Sequence, residues 1–260
     1  MRNKYILYLG DIMKNALKRL GAYFIDLVIV YLVSAFISSF IIAGTNYDKY
    51  LNTYNDYVAF INIYEGFFQD FKNYYSDNNI TEDEYNKLNS SYKEVAVGLE
   101  EAYSDKKINK KEYNDIFDDT NEVYMDSAIH KQYKLSKTNI VNTIVTIVMM
   151  VFYFVIVQYW RKGQTFGKSI LKIKVYSQDG DRPSLNSLML RSLIITDIIW
   201  SLIRVYCLYN MDAYGYNNAS FILNNIMYLI LFISLLFVVY RKDHKSLQDL
   251  FAGTKVVIDR

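Results

Sequence analysis

The sequence predicts an all-α membrane protein with about four transmembrane helices, an extracytoplasmic helical insert and a small cytoplasmic two-strand element. Two observations carry this prediction. Several stretches of about 20 residues are almost wholly apolar, which is the length that a helix needs to cross a bilayer. A long polar block with helical periodicity separates the first stretch from the second. The 260 residues divide accordingly into residues 1–43, the insert over 44–139 and a second membrane region over 140–260.

Four segments are candidates for crossing the membrane. Three of them are apolar over almost their whole length: 22–43, 140–160 and 220–240. The third segment along the chain, 188–207, contains Arg191, Asp197 and Arg204, and we accept it because of the positive-inside rule. With four spans, every cluster of lysine and arginine that flanks a span falls on the cytoplasmic side, together with both termini. Residues 5–17 precede the first span and are expected to form an amphipathic helix on the membrane surface.

Composition excludes several classes of function. The formal charge of +2 is too small to predict a nucleic-acid partner. A single cysteine, Cys207, cannot form an internal disulfide. The first apolar stretch contains Asp26 and lacks a small-x-small cleavage site, so we interpret it as a membrane span and not as a signal peptide. We therefore expect a multi-pass protein of the cell membrane whose first partner is the lipid bilayer.

The insert has the sequence of a soluble helical bundle. Residues 44–139 contain 11 basic and 18 acidic residues, for a net charge of −7, and no proline. Two related pieces lie 28 residues apart, and each pairs a capping residue with a glutamate three positions later: Thr81 with Glu84, and Asn109 with Glu112. We predict three helices, near 47–76, 81–104 and 109–136. Such a bundle either binds a protein partner or covers the membrane region.

Metal binding and enzyme chemistry are not predicted. The two related pieces resemble the second half of a calcium-binding EF-hand loop, but Asn78 and Lys106 stand where that loop needs glycine. His130 and His244 fall on opposite sides of the membrane and cannot share a metal. Residues 163–169 (GQTFGKS) resemble a P-loop, yet they have three residues instead of four between the glycine and Gly-Lys. We expect no cofactor and no enzyme; in particular, no nucleophile–base pair supports a lipid-modifying activity.

Charged residues within the apolar segments are the strongest functional signal. A charge at the centre of a membrane helix costs about 2.5–3.5 kcal/mol on insertion scales, so it is expected to face other helices. Arg19 and Asp26 are two helical turns apart and lie on one face of the first span. Asp197 and Arg204 repeat this spacing in reverse order, and we predict Arg191 as the partner of Asp26. Such charges are either salt bridges between helices or titratable transport sites, and the sequence leaves both interpretations open.

Three motifs resemble the RDD family of membrane proteins, which is named for an arginine and two aspartates. They are RLGAYFID at 19–26, GQTFGKSILKIKVYSQDGDRPSL with LMLRSL at 163–193, and HKSLQDLFAGTKVV at 244–257. The resemblance implies that Arg19, Asp26 and Asp249 are the name-giving residues. Arg191, Asp197 and Arg204, identified above as charges within the third segment, complete the predicted charge network. The residues that the resemblance assigns to the cytoplasmic motifs are Gly163, Thr165, Gly167, Lys168, His244, Gly253 and Thr254.

The resemblance implies a modest function: transport of unidentified ligands, with cation/proton antiport in some members. The matched parts cover residues 15–43 and 140–258, so the insert is an addition to the family pattern. The alternative is a scaffold or accessory protein that binds a partner through its insert. Short strands near 170–176 and 253–258 are expected to pair, with a turn at Asp179-Gly180. Four spans are few for a carrier, so we expect a homo-oligomer.

Overall fold

The computed structural model describes residues 2–45, 47–76 and 78–258, with side chains from residue 13 onward except that of Thr45. The chain divides into two compact units. Residues 46–138 form one of them, which we call the insert unit. The residues before and after it form the other, the membrane unit. The predicted amphipathic character of residues 5–17 falls mostly outside the described side chains.

The fold is mostly helical. The helices of the insert unit are α2 (Tyr47–Tyr74), α3 (Glu82–Tyr92), α4 (Leu99–Ala102) and α5 (Lys110–Thr138). Those of the membrane unit are α1 (Arg2–Thr45), α6 (Ile140–Val151), α7 (Gln158–Trp160), α8 (Phe166–Ile170), α9 (Leu185–Ile195), α10 (Ile198–Asn210), α11 (Ala213–Tyr240) and α12 (Leu247–Phe251). A π-helical stretch, Phe152–Val157, connects α6 directly to α7.

Three helices of the described chain are long and apolar enough to cross a membrane. They are Met13–Gly44 within α1, Ile140–Trp160 and α11, with 32, 21 and 28 residues. The predicted third span is not one continuous helix, because the chain leaves the helical conformation at Thr196 and resumes it at Ile198. Neither α9 nor α10 reaches the length required alone, so the predicted continuous span over 188–207 is wrong as a single helix.

A two-stranded antiparallel sheet forms beside the short helices of the membrane unit. Strands β1 (Ile173–Ser177) and β2 (Thr254–Ile258) pair with Val175 opposite Val256, which confirms the predicted pairing. A turn follows β1, in which Gly180 has a φ of 98° and donates its N–H to the Ser177 carbonyl over 3.0 Å. Val175 is fully buried and packs with Leu188 of α9. The sheet therefore packs the segment that follows α8 and the segment that follows α12 against α9.

The insert unit has its own aromatic and aliphatic core. Phe67 and Phe71 of α2 are fully buried and stack on each other, and Leu88, Leu99 and Ile116 complete the centre from the other helices. Each of these side chains contributes about 1.5–3 kcal/mol by leaving water. The charged residues stay at the surface, so the unit has the construction of a water-soluble helical domain.

The two related pieces of the insert unit have the same local structure. Thr81 and Glu84 form a complete capping box at the start of α3, and Asn109 and Glu112 make the equivalent bonds before α5. Asn78 and Lys106 both have a φ of 62°. Among the predicted helices, 81–104 is interrupted: the chain turns after Tyr92, and Gly98 with a φ of 75° precedes α4. The short helices therefore replace one long one.

Candidate functional site

Asp26 lies in the interior of the membrane unit with no exposed surface. Its Oδ1 accepts hydrogen bonds from the Tyr153 hydroxyl at 2.6 Å and from the Gly167 amide at 2.7 Å. Its Oδ2 accepts one from the Thr165 hydroxyl at 2.5 Å. A buried carboxylate needs such donors, because an unpaired charge in a low-dielectric interior is strongly disfavoured. Two hydroxyl groups and one backbone amide therefore hold Asp26 in place, and no basic side chain of the described residues lies within salt-bridge distance of it.

The short helix α8 reaches Asp26 because of its sequence. Thr165 is its N-cap and accepts the Lys168 amide over 3.4 Å while donating its own hydroxyl to Asp26. A Cβ at Gly167 would lie 2.3 Å from the Ala22 carbonyl oxygen and 2.9 Å from the Asp26 carboxylate. Only glycine allows α8 to approach α1 so closely. Thr165 and Gly167, which the sequence assigned to a cytoplasmic motif, are therefore direct partners of the first span.

Gly163 serves the turn before α8. Its φ is 97°, and a Cβ there would lie 2.1 Å from the Val175 carbonyl oxygen of β1. The Gly163 amide donates to the Gln158 carbonyl over 2.8 Å, and its carbonyl accepts from the Val175 amide over 3.1 Å. This residue thus reverses the chain between the second span and β1.

Asp249 is a second buried carboxylate, and two arginines bind it from different helices. Arg19 of α1 donates to its Oδ2 over 3.1 Å, and Arg191 of α9 donates to its Oδ1. The Ser246 hydroxyl and the Thr254 hydroxyl add bonds of 2.5 and 3.1 Å. Burial alone would raise the pKa of Asp249, but the charges of Arg191 and Arg19 outweigh it and the net shift of this pKa is downward. Asp249 is therefore an anion that joins α1, α9 and α12.

The predicted pairing of Arg191 with Asp26 is wrong. Arg191 bonds Asp249 and the Thr254 hydroxyl instead, the latter over 3.0 Å. The physical reason is that α12 packs against α9 and carries Asp249 to the guanidinium, while α8 supplies Asp26 with neutral donors. Sequence spacing could not show which carboxylate Arg191 contacts. Asp26 and Asp249 are 223 positions apart, yet Asp26 lies on the same helix as Arg19 and Asp249 contacts Arg19.

Lys168 brings a third positive charge into this region. Within the described part of the chain, its ammonium makes one hydrogen bond, of 3.3 Å, to the Gln158 side-chain oxygen, and it lies 5.9 Å from the centre of the Phe154 ring. Burial lowers the pKa of Lys168 to about 8, with Asp26 and Asp249 opposing this shift and Arg191 adding to it. An ammonium has three donors. Lys168 is thus an incompletely bonded cation that titrates close to neutral pH.

A cavity of about 50 Å³ lies among these charged groups. Its lining includes four charged side chains, from α1, α8 and α9: Arg19, Asp26, Lys168 and Arg191. Gln158, Gln248 and Tyr23 add polar atoms. This volume has room for several waters or for a small polar group. With Asp249 behind the arginines, the cluster contains three basic and two acidic groups, so it has one excess positive charge when all are ionised.

Asp197 and Arg204 form a separate cluster at the break between α9 and α10. Arg204 bonds the Asp197 carboxylate, the Ser201 hydroxyl at 3.0 Å and the Asn224 side-chain oxygen at 2.8 Å. The predicted spacing of seven residues therefore does form a pair along α10. At the same break, the Tyr23 hydroxyl donates to the free Ile195 carbonyl over 2.8 Å, which satisfies a backbone group left by the interruption.

The remaining motif residues lie around α12. His244 has a φ of 50° and its Nδ1 lies 3.0 Å from the Val238 carbonyl oxygen. Gly253 has a φ of 61° and turns the chain from α12 into β2. Thr254 bonds Asp249, as described above. These residues hold the end of the chain on the membrane unit, and His244 does not line the charged cavity.

Sequence reasoning did not assign several polar residues to the site: Tyr23, Tyr153, Gln158, Ser246 and Gln248. The pattern Ser246-x-x-Asp249 is a capping box of α12 and was visible in the sequence. Tyr153 lies within the π-helical stretch and Gln158 directly follows it; this stretch changes which side chains face the neighbouring helices, and it has no signal in the sequence. Among the described residues, no group of three or more histidine, cysteine, aspartate or glutamate side chains is arranged to hold a metal ion.

Comparison with known proteins gives one match. A model of the RDD family matches residues 116–253, which is more than half of the chain. No curated protein and no solved structure matches. The matched range contains Arg191 and Asp249, and it begins within α5 of the insert unit. Residues 15–43, with Arg19 and Asp26, lie outside this range. Both side chains nevertheless contact residues within it, Arg19 through Asp249 and Asp26 through Gly167.

Proposed function

We propose that this chain, which belongs to the RDD family of membrane proteins, is a small proton-coupled transporter of the cell membrane and not an enzyme. The single observation that supports the proposal most is the cavity among Arg19, Asp26, Lys168 and Arg191. Ionisable residues inside membrane regions are costly, and they commonly mark the routes of ions and protons. A purely structural salt bridge has no need of an adjoining polar space or of an incompletely bonded lysine.

Charge balance supplies the coupling in this proposal. The cluster has one excess positive charge while Lys168 carries its proton, and it is neutral once that proton leaves. A cation drawn to Asp26 and a proton on Lys168 would repel each other, which gives cation/proton exchange. An anion would instead be favoured by the proton, which gives joint transport. In either form, Asp26 is the fixed carboxylate of the site and Lys168 exchanges the proton.

The proposal includes a four-span topology with cytoplasmic termini. Helices α9 and α10 together have enough residues for one crossing, interrupted at Thr196 and Asp197. Interrupted membrane helices recur at the binding sites of carriers, where the freed backbone groups line a cavity. The basic residues that flank the spans then face the cytoplasm and the acidic insert unit faces outward. A homo-oligomer would supply the additional helices that four spans lack.

Flux measurements test the transport proposal. The wild-type chain in proteoliposomes should move protons and a co-ion across an imposed pH gradient, with sodium, potassium and organic anions offered in separate arms. Asp26→Asn keeps the shape of the side chain but removes its charge, and the flux should fall at least tenfold. Asp243→Asn is the control, since this exposed aspartate pairs only with neighbouring residues outside the cavity. Equal flux in Asp26→Asn and wild type would remove the mechanism.

A scaffold function is the second candidate, and the insert unit supports it. This unit has a complete core of its own and an acidic surface, which a transporter does not require. On α5, Asp115, Asp118, Asp119 and Glu122 are all exposed. Crosslinking in the native membrane would capture a specific partner. That partner should be lost when residues 47–136 are deleted and also when the four acids are changed to their amides.

A further inference from the structure

We infer that the solute of this site is an amphipathic anion: a carboxylate or phosphate head bound beside Lys168, with a short apolar tail between α1 and α11. This inference rests on the proposed transport function and names its substrate class. Three features support it: the unmet hydrogen bonds of Lys168, the excess positive charge of the cluster, and a second cavity of opposite character next to the first.

Lys168 supplies the reason for an anionic head. Its ammonium has three donors, and the only side-chain acceptor that it contacts in the described chain is Gln158 at 3.3 Å. The two carboxylates nearby are occupied: Asp26 by three neutral donors, and Asp249 by two arginines and two hydroxyl groups. The ammonium therefore lacks a strong acceptor on the side that faces the cavity. A carboxylate or phosphate oxygen in the cavity would complete its bonds.

Charge points to the same kind of head. Three basic groups face two carboxylates in a region of low dielectric, where an uncompensated charge is strongly disfavoured. A cation in the cavity would raise the excess charge from one to two. A monoanion would reduce it to zero while Lys168 stays protonated. Arg191 of α9 lines the cavity beside Lys168, so a bound anion meets positive charge from two elements.

The second cavity supplies the reason for a tail. It has a volume of about 110 Å³ and adjoins the first, since Arg19, Tyr23, Ile195 and Gln248 line both. Its remaining lining is mostly aliphatic, from α1 and α11: Ala16, Leu20, Leu231, Leu235 and Val238. A space lined mostly by aliphatic side chains favours a hydrocarbon group. A ligand that fills both cavities must therefore be charged at one end and apolar at the other.

Binding of radiolabelled octanoate to the full chain in lipid nanodiscs tests this inference. Unlabelled octanoate should compete at least tenfold more strongly than acetate, which has the head without the tail, and than octanol, which has the tail without the charge. Equal competition by acetate would overturn the role of the apolar cavity. Equal competition by octanol would overturn the role of Lys168. Nanodiscs with and without phosphatidylglycerol separate the two sources: competition by this lipid identifies a membrane lipid, and its absence identifies a free acid.

Two variants localise the site. Lys168→Gln should weaken octanoate binding about tenfold or more, the effect of losing one charge-assisted hydrogen bond. Leu235→Trp should fill the apolar cavity and abolish the advantage of octanoate over acetate, and it retains every charged residue. Leu229→Trp on the exposed face of the same helix is its control and should bind as the wild type does. Size-exclusion chromatography and circular dichroism establish that each variant is folded.

The result is separable from the transport proposal. Octanoate binding without any flux would leave the binding inference standing and overturn the transport function. Flux of an inorganic cation without octanoate binding would overturn the inference and leave the transport function standing. Unaltered octanoate binding in both Lys168→Gln and Leu235→Trp would show that the ligand does not occupy these cavities.

Discussion

The insert unit and the membrane unit bury opposite kinds of side chain. In the insert unit the core is aromatic and aliphatic, and the polar side chains that it buries among the described residues are Thr53 and Thr120. In the membrane unit the long helices expose large apolar residues such as Phe36 and Leu229, while Asp26, Arg191 and Asp249 are buried. The two units of this chain therefore differ in the class of side chain that they bury.

The difference follows from the solvent of each unit. In water, apolar side chains gain free energy by leaving the solvent, so they fill the core of the insert unit. Lipid tails are as apolar as leucine, so burial of leucine between membrane helices gains little. Polar and charged groups gain more there by leaving lipid for each other. Hydrogen bonds and ion pairs in the membrane unit thus have the role that Phe67 and Phe71 have in the insert unit.

The largest expected effect is at Asp249. Asp249→Ala leaves Arg19 and Arg191 buried without their shared anion, and loss of one partner of a buried pair typically costs about 3–5 kcal/mol. Thermal unfolding in detergent should show a large drop in midpoint temperature. Asp243→Ala removes an exposed aspartate with two basic neighbours and should change the midpoint little. Equal midpoints for the two variants would contradict the comparison between the units.

The next effect is at the centre of the insert unit. Phe67→Ala removes a fully buried ring from the aromatic core, at a cost of about 3 kcal/mol or somewhat more. Hydrogen exchange of the full chain should speed up in α2, α3 and α5. Tyr54→Ala, at a largely exposed ring of α2, is the control and should leave exchange nearly unchanged. Faster exchange in both variants alike would show that the aromatic core does not dominate the stability of this unit.

A smaller effect is expected at Gly167. Gly167→Ala forces a Cβ against the Ala22 carbonyl and the Asp26 carboxylate, and overpacking of this kind costs about 1–3 kcal/mol. The midpoint of thermal unfolding should fall, and the proposed flux should fall with it because α8 moves away from Asp26. Gly44→Ala is the matched control within α1, since no atom lies within 4 Å of its added Cβ. That variant should be as stable as the wild type or slightly more stable.

The smallest effect is a pH dependence at Lys168. Because its pKa in the folded protein is about 8, the ammonium loses its proton as pH rises through that value, and binding of an anion should weaken about tenfold from pH 7 to pH 9. Asp26, Arg191 and Asp249 are the charged groups that act on it. Since folding lowers this pKa, protein stability should rise as pH increases from about 8 toward 10.5. Lys168→Gln should remove both dependences.

Some features of the site were within reach of the sequence and others were not. Arg19, Asp26 and Arg191 were identified because a charge in or beside an apolar segment is costly, and Asp249 was identified through the motif that resembles the RDD family. Their partners could not be assigned, because a helical spacing gives the face of one helix and not the neighbour that meets it. The predicted Asp26–Arg191 pair failed for this reason. The interruption at Thr196 was not predicted, because no proline or glycine in residues 188–207 marks it.

The sequence by itself determined the apolar helices, the capped helices of the insert and the strand pair, since each depends on periodicity, caps or alternation within a few neighbouring residues. Only the tertiary structure decided that Tyr153, Thr165 and Gly167 bind Asp26 and that two arginines share Asp249. Those contacts join residues 58 to 230 positions apart, and their geometry depends on how closely α8 and α12 approach α1 and α9. Backbone packing, which no local pattern encodes, sets that distance.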